Sequence, residues 1–409
     1  MKTGGALMAQ ERLSSPDSRQ TPPQGWNRHG DIVVDAGQLP ELRDLANRRF
    51  RQVAIVFHWL VQMRGGERVL ERMLDLFPNA DIFTHVYRPE RISPKIRARN
   101  VRTTFINRLP AADRHYQKYL PLMPHALEEL DLRGYDLVIS NEAGPTKGVI
   151  AAPDALHVCY AHSPMRYLWD HYHEYRASAG VLSRAAMSLT FPALRRWDVT
   201  SAARVDRIMA NSRFVSQRIE KYWRRSAEVV HPPVSVADFR PSPDASGRYL
   251  WVSQMTRYKR PDLAVEAFNR TGLPLLMVGD GEMHDEIRRK AGPNIEVIRR
   301  LNFDGLRDAY AKARGLVFTA EEDFGIVPVE AMASGRPVLA LGRGGALDTV
   351  SPGVSGLFYD AQDVEALEAG IERFEQWLPS FDPSAAVAHA AKFAPEVFDR
   401  RFCEVILAS

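Results

Sequence analysis

Apolar residues fall along this chain in short runs separated by polar loops. The first is Val53-Ala54-Ile55-Val56-Phe57, rich in β-branched side chains, as expected of a strand buried on both faces. It ends before Arg64-Gly65-Gly66-Glu67. Beyond that turn Val69, Leu70, Met73, Leu74 and Leu76-Phe77 recur at helical spacing. Strand, glycine turn and amphipathic helix predict the first βα unit of a parallel sheet. Runs at 81–84, 137–140, 157–160 and 207–210 predict further strands, with helical stretches between most of them.

A cluster of proline and small polar residues from Val230-His231-Pro232-Pro233 to Pro241-Ser242-Pro243 and Gly247 interrupts the series and marks a linker. A second set of strands is then predicted at 249–252, 274–278, 295–298, 315–318 and 337–340. The chain therefore reads as α/β, two Rossmann-like domains with a cleft between them. The expected organisation is a disordered tail over 1–48, an N-terminal domain over 49–236, a linker over 237–247, a second domain over 248–385, and a C-terminal helix over 386–409 that would pack back on the first domain. The tail is inferred from Ser14-Ser15-Pro16, Thr21-Pro22-Pro23 and several glycines without periodicity.

Composition narrows the class. A chain of 409 residues with two cysteines can bury large cores without disulfides, and a zinc site built on cysteine is disfavoured. No run reaches the ~18–20 apolar residues needed to span a bilayer, and no signal peptide is read, so the expected address is the cytoplasm. The net charge of +4 conceals an asymmetry: residues 1–240 carry 35 Lys and Arg against 25 Asp and Glu, residues 241–409 carry 19 against 25. A basic half suits a phosphorylated substrate or an anionic membrane. The mixed segment 112–125, with the basic stretch 91–102 ahead of it, is a candidate for a lipid interface. No nucleic-acid module is recognised.

Candidate chemistry concentrates at strand ends, where open α/β sheets bind ligands. Gly279 and Asp280 follow the second strand of the second domain. Arg257, Lys259 and Arg260 put three cations in four positions after its first strand, enough to neutralise a diphosphate. Glu322-Asp323-Phe324-Gly325-Ile326 runs from a strand towards a helix that carries Glu330; its backbone N–H groups suit an anion or sugar hydroxyls. In the first domain His162 follows a strand, with His171, His173 and Glu174 nearby, but their spacing gives no tetrahedral metal signature.

The segment from Glu322 to Glu330 resembles the E-x7-E motif of retaining glycosyltransferases of family 4, GT-B enzymes with two facing Rossmann-like domains. Ala331-Met332-Ala333-Ser334-Gly335-Arg336-Pro337-Val338, Gly344-Gly345 and Val354-Ser355-Gly356-Leu357-Phe358 extend the resemblance over about residues 50–400. The resemblance implies that Glu322 lies near the donor sugar and Glu330 at the ribose, with Phe324, Gly325 and Ile326 lining the donor site. It implies that Lys259, helped by Arg257, holds the diphosphate, that Gly279 and Asp280 lie near the base, and that Gly65 and Gly66 approach the phosphates across the cleft. It also implies that His162 contacts the sugar beside the reacting carbon. His162, Glu322 and Lys259 are thus the expected catalytic set. One departure stands out: the family's usual arginine five residues before the lysine is Gln254 here.

Ser163-Pro164-Met165-Arg166-Tyr167 resembles the bacterial O-antigen and exopolysaccharide mannosyltransferase branch, with Arg166, Tyr167 and Trp169 lining an acceptor groove. The function implied is metal-independent, cofactor-free transfer of mannose from GDP-mannose to a lipid-linked (polyprenyl-diphosphate) or other glycan acceptor, with peripheral membrane association as an option. The alternatives are a UDP-sugar donor or a non-catalytic binding protein of the same fold.

Overall fold

The computed structural model describes residues 39–244 and 247–408. In the N-terminal half β1 (Val53–Phe57), β2 (Asp81–Thr84), β3 (Val101–Thr103), β4 (Leu137–Glu142), β5 (Leu156–Ala161), β6 (Arg207–Ala210) and β7 (Glu228–Val229) form one parallel sheet in the order β3-β2-β1-β4-β5-β6-β7. In the C-terminal half β8 (Tyr249–Val252), β9 (Leu275–Val278), β10 (Ile295–Ile298), β11 (Leu316–Phe318), β12 (Val338–Leu341) and β13 (Gly356–Tyr359) form a second, in the order β10-β9-β8-β11-β12-β13. Both are Rossmann-like, so the α/β, GT-B class expected from sequence is the observed one.

The central strands are buried on both faces because helices cover each sheet. Ile55 and Phe57 of β1 point into a core with Leu70, Met73 and Tyr160, while Ala54 and Val56 face Leu127, Val138 and Val149. Strand order reverses between β1 and β4 and again between β8 and β11. Loops leaving neighbouring strands there diverge in opposite directions and open a crevice at the carboxyl ends. All the chemistry-bearing loops sit at such ends. The helix Gly65–Leu76 follows β1, His162 follows β5, Lys259 follows β8 and Glu322 follows β11.

The structure corrects the sequence reading at the chain's ends. Residues 39–48 are not tail: Leu39–Arg49 is a helix. Residues 1–38, where the rest of the expected tail falls, lie outside the described residues. The C-terminal stretch is not one helix over 386–409. Pro383–Ala390 packs on the helix Ile326–Ala333 of the second half, a turn at Ala391–Phe393 follows, and Pro395–Leu407 crosses to the first half. There Phe398, Phe402 and Ile406 join the β1 core, and Arg43 and Arg72 converge on the buried Asp399, Arg72 through two bonds of 2.6 and 2.7 Å. Three strands escaped the sequence reading. All three are sheet edges; β3 and β7 are too short for an apolar run, and β13 (Gly356–Tyr359) opens on glycine and is only half-buried at Leu357 and Phe358.

The segment 112–125 is a second correction. Ala112, Leu120 and Met123 are buried in a cluster with Ile106, Leu168 and Phe191, and Tyr116 and Tyr119 pack against it. Its apolar side faces the protein, leaving Leu122 as its exposed large apolar residue. Among the described residues no helix is long and apolar enough to cross a membrane.

Candidate functional site

Two loops of the C-terminal half build one wall of the site. Lys259 ends the short helical turn Arg257–Lys259 after β8. Its carbonyl accepts from Thr319 Oγ1 at 2.7 Å, and that hydroxyl in turn accepts from Trp251 Nε1 at 3.0 Å. The loops after β8 and β11 are thereby tied together. The Lys259 ammonium is paired with Glu322, and both side chains are largely sheltered. Burial pushes the Lys259 pKa down to about 7, the Arg166 cation adds to this, and Asp323 opposes it. Desolvation of this kind makes an ammonium a strong partner for an anion that can replace its carboxylate.

The Glu322–Phe324 strip is braced from behind. Gly345 donates its N–H to the Glu322 carbonyl at 2.8 Å. A Cβ at position 345 would fall 2.3 Å from Phe324 Cα, so only glycine fits beneath the loop. Gly344-Gly345, a motif of the resemblance with no role attached, is that support. Phe324 is buried against His231 and Phe393. Gly325, at φ +89°, turns the chain into the helix Ile326–Ala333. Glu330 on that helix accepts a 2.8 Å hydrogen bond from the Tyr310 hydroxyl, and burial raises its pKa. Glu330 and Ile326 border a cavity of about 480 Å³ shared with Met63 and Arg68 of the other half and with Phe303.

The N-terminal half supplies the facing wall. A Cβ on Gly65 would lie 3.3 Å from Ile326 Cδ1, which brings the glycine loop against the start of the opposite helix. A Cβ on Gly66 would lie 3.8 Å from His162 Nε2. His162 is half-buried beneath Tyr160, whose ring meets it edge-on at 5.2 Å. Its Nε2 is 2.5 Å from Asn141 Oδ1 at the end of β4, which fixes Nε2 as the protonated nitrogen. Burial lowers its pKa to about 4, with Asp323 opposing, so the ring is neutral near pH 7. Sequence reasoning missed Asn141, although Asn141-Glu142 closing an apolar strand is an unusual pairing.

Of the three acceptor candidates, Arg166 reaches the cleft. It spans the two halves, 2.7 Å from Asp323, and Arg218 meets the same Asp323 Oδ1 at 2.9 Å. Ser212 Oγ donates to the Asp323 carbonyl at 2.5 Å. Asp323 is thus held by three side chains of the opposite half, a relationship with no signal in linear spacing. Tyr167 packs near Tyr175 and Phe191. Trp169 stacks on Tyr222 at 4.8 Å and donates Nε1–H to Asp198 at 2.8 Å. Both rings are engaged inside the N-terminal half.

Asp198 belongs to a buried charged group that sequence reasoning also missed. Lys147, Glu142 and Asp198 have no solvent-accessible side-chain surface, and the Lys147 ammonium bridges the two carboxylates. Trp169 and Trp223 both donate to Asp198, and the Thr146 and Lys147 amides donate to Glu142 at 2.8 Å each. The group lies one residue beyond Asn141 and anchors the strand end that orients His162.

The remaining candidates border the loop after β8, where Met255 donates its N–H to the Asp280 carbonyl at 2.9 Å. Gly279 is crowded by the Ser253 carbonyl, which a Cβ would approach to 1.9 Å. Asp280 is held by Arg299 at 2.7 Å, and its carboxyl pKa is lowered by the Gly281 amide and by that arginine. Arg257 is exposed, with its backbone N–H on Glu282 at 3.3 Å. Among the described residues no group of three or more His, Cys, Asp or Glu is placed to hold a metal ion.

Known proteins resemble this chain in sequence and in fold. Residues 63–238 match the family model described as Glycosyltransferase Family 4, and residues 239–377 that described as Glycosyl transferases group 1, so the two run without a break across both halves. An alpha-1,3/1,6-mannosyltransferase of Neurospora crassa is 28% identical, over 41% of this chain and 48% of its own. A D-inositol 3-phosphate glycosyltransferase of Mycolicibacterium smegmatis is 26% identical, over 46% of this chain and 50% of its own. The chain spans about half the length of the curated relatives it matches. Among solved structures, Anabaena HepE in complex with UDP-glucose superposes with a TM-score of 0.63 at 18% identity, covering 88% of this chain and all of that one. Sucrose-phosphate synthase of Thermosynechococcus elongatus gives 0.64 at 17%, with the same coverage.

Proposed function

We propose that this chain is a family 4 glycosyltransferase that moves a sugar, mannose from GDP-mannose, onto a lipid-linked or other glycan acceptor in bacterial surface-polysaccharide synthesis, with retention at the anomeric carbon. The observation that carries the reading is the Lys259–Glu322 pair at the switch point of the second sheet, faced by Gly65, Gly66 and His162 from the first. Lys259 is the diphosphate contact and, with the N-terminus of the helix after Gly325, stabilises charge as the bond between the anomeric carbon and the phosphate oxygen breaks. The nucleoside diphosphate leaves with the electron pair, and the acceptor hydroxyl oxygen bonds to the same carbon from the same face, its proton passing to the departing phosphate oxygen. Donor binding displaces the ammonium from Glu322, which turns to the sugar hydroxyls. His162, neutral and held through Nε2, meets the sugar beside the reacting carbon. Glu330, hydrogen-bonded by Tyr310, accepts from the ribose hydroxyls.

Mannose is favoured by the mannosyltransferase relatives at low identity. A UDP-sugar is the alternative, favoured by the UDP-glucose found in HepE. No enzymic base is assigned, and the chemistry asked of these residues needs neither metal nor cofactor.

Acceptor-dependent release of nucleoside diphosphate tests the reading. Wild type should release it from one nucleotide-sugar once a glycan acceptor is added, and Lys259→Ala and Glu322→Ala should each lose most of that activity. Equal release by all three proteins would overturn the assigned roles.

A further inference from the structure

The helix Val181–Ala202 has two apolar faces, and among the described residues the fold covers one of them. Met187, Phe191 and Leu194 pack inward, into the cluster that holds Leu168, Tyr167 and Tyr172. At 3.6 residues per turn, Val181, Leu182, Ala185, Ala186, Leu189 and Ala193 line the other side. All six are exposed, with Val181 at 73%, Leu182 at 88% and Leu189 at 82%. The short helix Tyr172–Ser178 leads into this face and exposes Tyr175 at 52%. Large aliphatic side chains this bare, aligned on one helix face, mark an interaction surface.

Charge selects the partner. Between Glu174 and Asp198 the chain carries Arg176, Arg184, Arg195 and Arg196 and no acidic residue. Arg195 turns inward, its Nε on the Leu168 carbonyl at 2.5 Å and its guanidinium over Tyr172. Arg176, Arg184 and Arg196 are exposed; at about 100° per residue Arg196 extends the apolar stripe by a turn and Arg184 flanks it beyond Val181. A second copy docked on this face would bring like-charged rims together. An anionic lipid surface matches both the apolar stripe and its rim.

We propose that the helical segment 172–196 is the seat of this protein on anionic membranes, with Val181, Leu182 and Leu189 entering the acyl boundary and Arg176, Arg184 and Arg196 at the phosphate level. The surface is distinct from the segment 112–125, whose apolar side is internal. Its Tyr175 ring stands 6.2 Å from that of Tyr167, the neighbour in sequence of Arg166, which reaches the cleft. A lipid-linked acceptor would therefore be met at the membrane; this last clause rests on the function proposed above, whereas the docking surface does not.

Flotation of the full chain with phosphatidylcholine vesicles, with and without phosphatidylglycerol, tests it. Wild type should float with the phosphatidylglycerol vesicles and be released by high salt. Leu182→Ser combined with Leu189→Ser should weaken partition by about 30-fold, and Leu122→Ser, at the other candidate segment, should leave it unchanged. Arg176→Gln, Arg184→Gln and Arg196→Gln together should abolish the preference for phosphatidylglycerol. No flotation of wild type, equal partition of the double variant, or a size change from dimer to monomer in that variant without loss of vesicle binding would each overturn the proposal. Unchanged nucleoside diphosphate binding by the double variant separates failure here from failure of the donor-site reading.

Discussion

Arg166 of the N-terminal half and Asp323 of the C-terminal half form an ion pair at 2.7 Å across the cleft. Arg218, almost wholly buried, shares the same carboxylate oxygen and also holds Asp170 at 2.7 Å. The aspartate sits one residue beyond Glu322, so the contact that joins the halves is made by the loop proposed to hold the donor. The join between the halves and the loop proposed to hold the donor thus meet at one side chain.

Asp323→Asn should loosen that join without removing any donor contact assigned above. It leaves Arg166 and Arg218 short of an anion, at a cost of about 2–3 kcal/mol in urea denaturation. The apparent KM for the donor should rise more than kcat falls. A variant with wild-type stability and KM would show that the pair is incidental.

Asn141 should act through His162. Asn141→Leu removes the acceptor for Nε2–H, and His162→Ala removes the ring. Each should lower kcat by about tenfold or more. In a double-mutant cycle the two should couple by about 1–2 kcal/mol, as expected of residues in direct contact. Strictly additive losses would mean that Asn141 does not position the imidazole.

Lys147→Met should be among the most destabilising single changes in the N-terminal half. It strands Glu142 and Asp198 together in the interior, which costs about 3–5 kcal/mol when a buried pair loses one member. Chemical denaturation reads this directly. A loss below about 1 kcal/mol would mean that the carboxylates relax or protonate without strain.

Acid should destabilise the fold in a defined window. Burial lowers the pKa of His85, His157 and His162 to about 4 and that of His58 to about 3. The unfolded chain takes up these protons near pH 6.5, while the folded chain holds them off. Between those values the unfolded state binds more protons, so stability is lost as pH falls from about 6.5 to about 4. At ~1.4 kcal/mol per pKa unit, even one ring shifted from 6.5 to about 4 costs about 3 kcal/mol, so acid unfolding should fall within this window. A flat melting temperature over that range would contradict the burial of these rings.

Much of the fold was legible because its central strands are buried on both faces and read as apolar runs. Val53–Phe57 and Tyr249–Val252 could be placed from composition alone. The edge strands Val101–Thr103 and Glu228–Val229 could not, since edges bury too little to leave a pattern. Lys259 and Glu322 were legible from the motif, and the structure brings them together over a separation that sequence cannot measure. The grip of Arg166 and Arg218 on Asp323 and the support of His162 by Asn141 join residues far apart in the chain, so periodicity carries no trace of them. Trp169 illustrates the converse. The resemblance put it in an acceptor groove with Arg166, and its indole N–H is committed to Asp198.

The central claim is that Lys259, beside Glu322, receives the diphosphate of a nucleotide-sugar. Calorimetric titration of wild type and Lys259→Met with GDP, UDP and the corresponding nucleosides tests it most directly. The account predicts that wild type prefers GDP, that Lys259→Met weakens the diphosphate by about 100-fold (about 2.7 kcal/mol, the scale of one charge-assisted contact in a sheltered site), and that nucleoside binding is unchanged. Equal diphosphate affinity in the two proteins would contradict it.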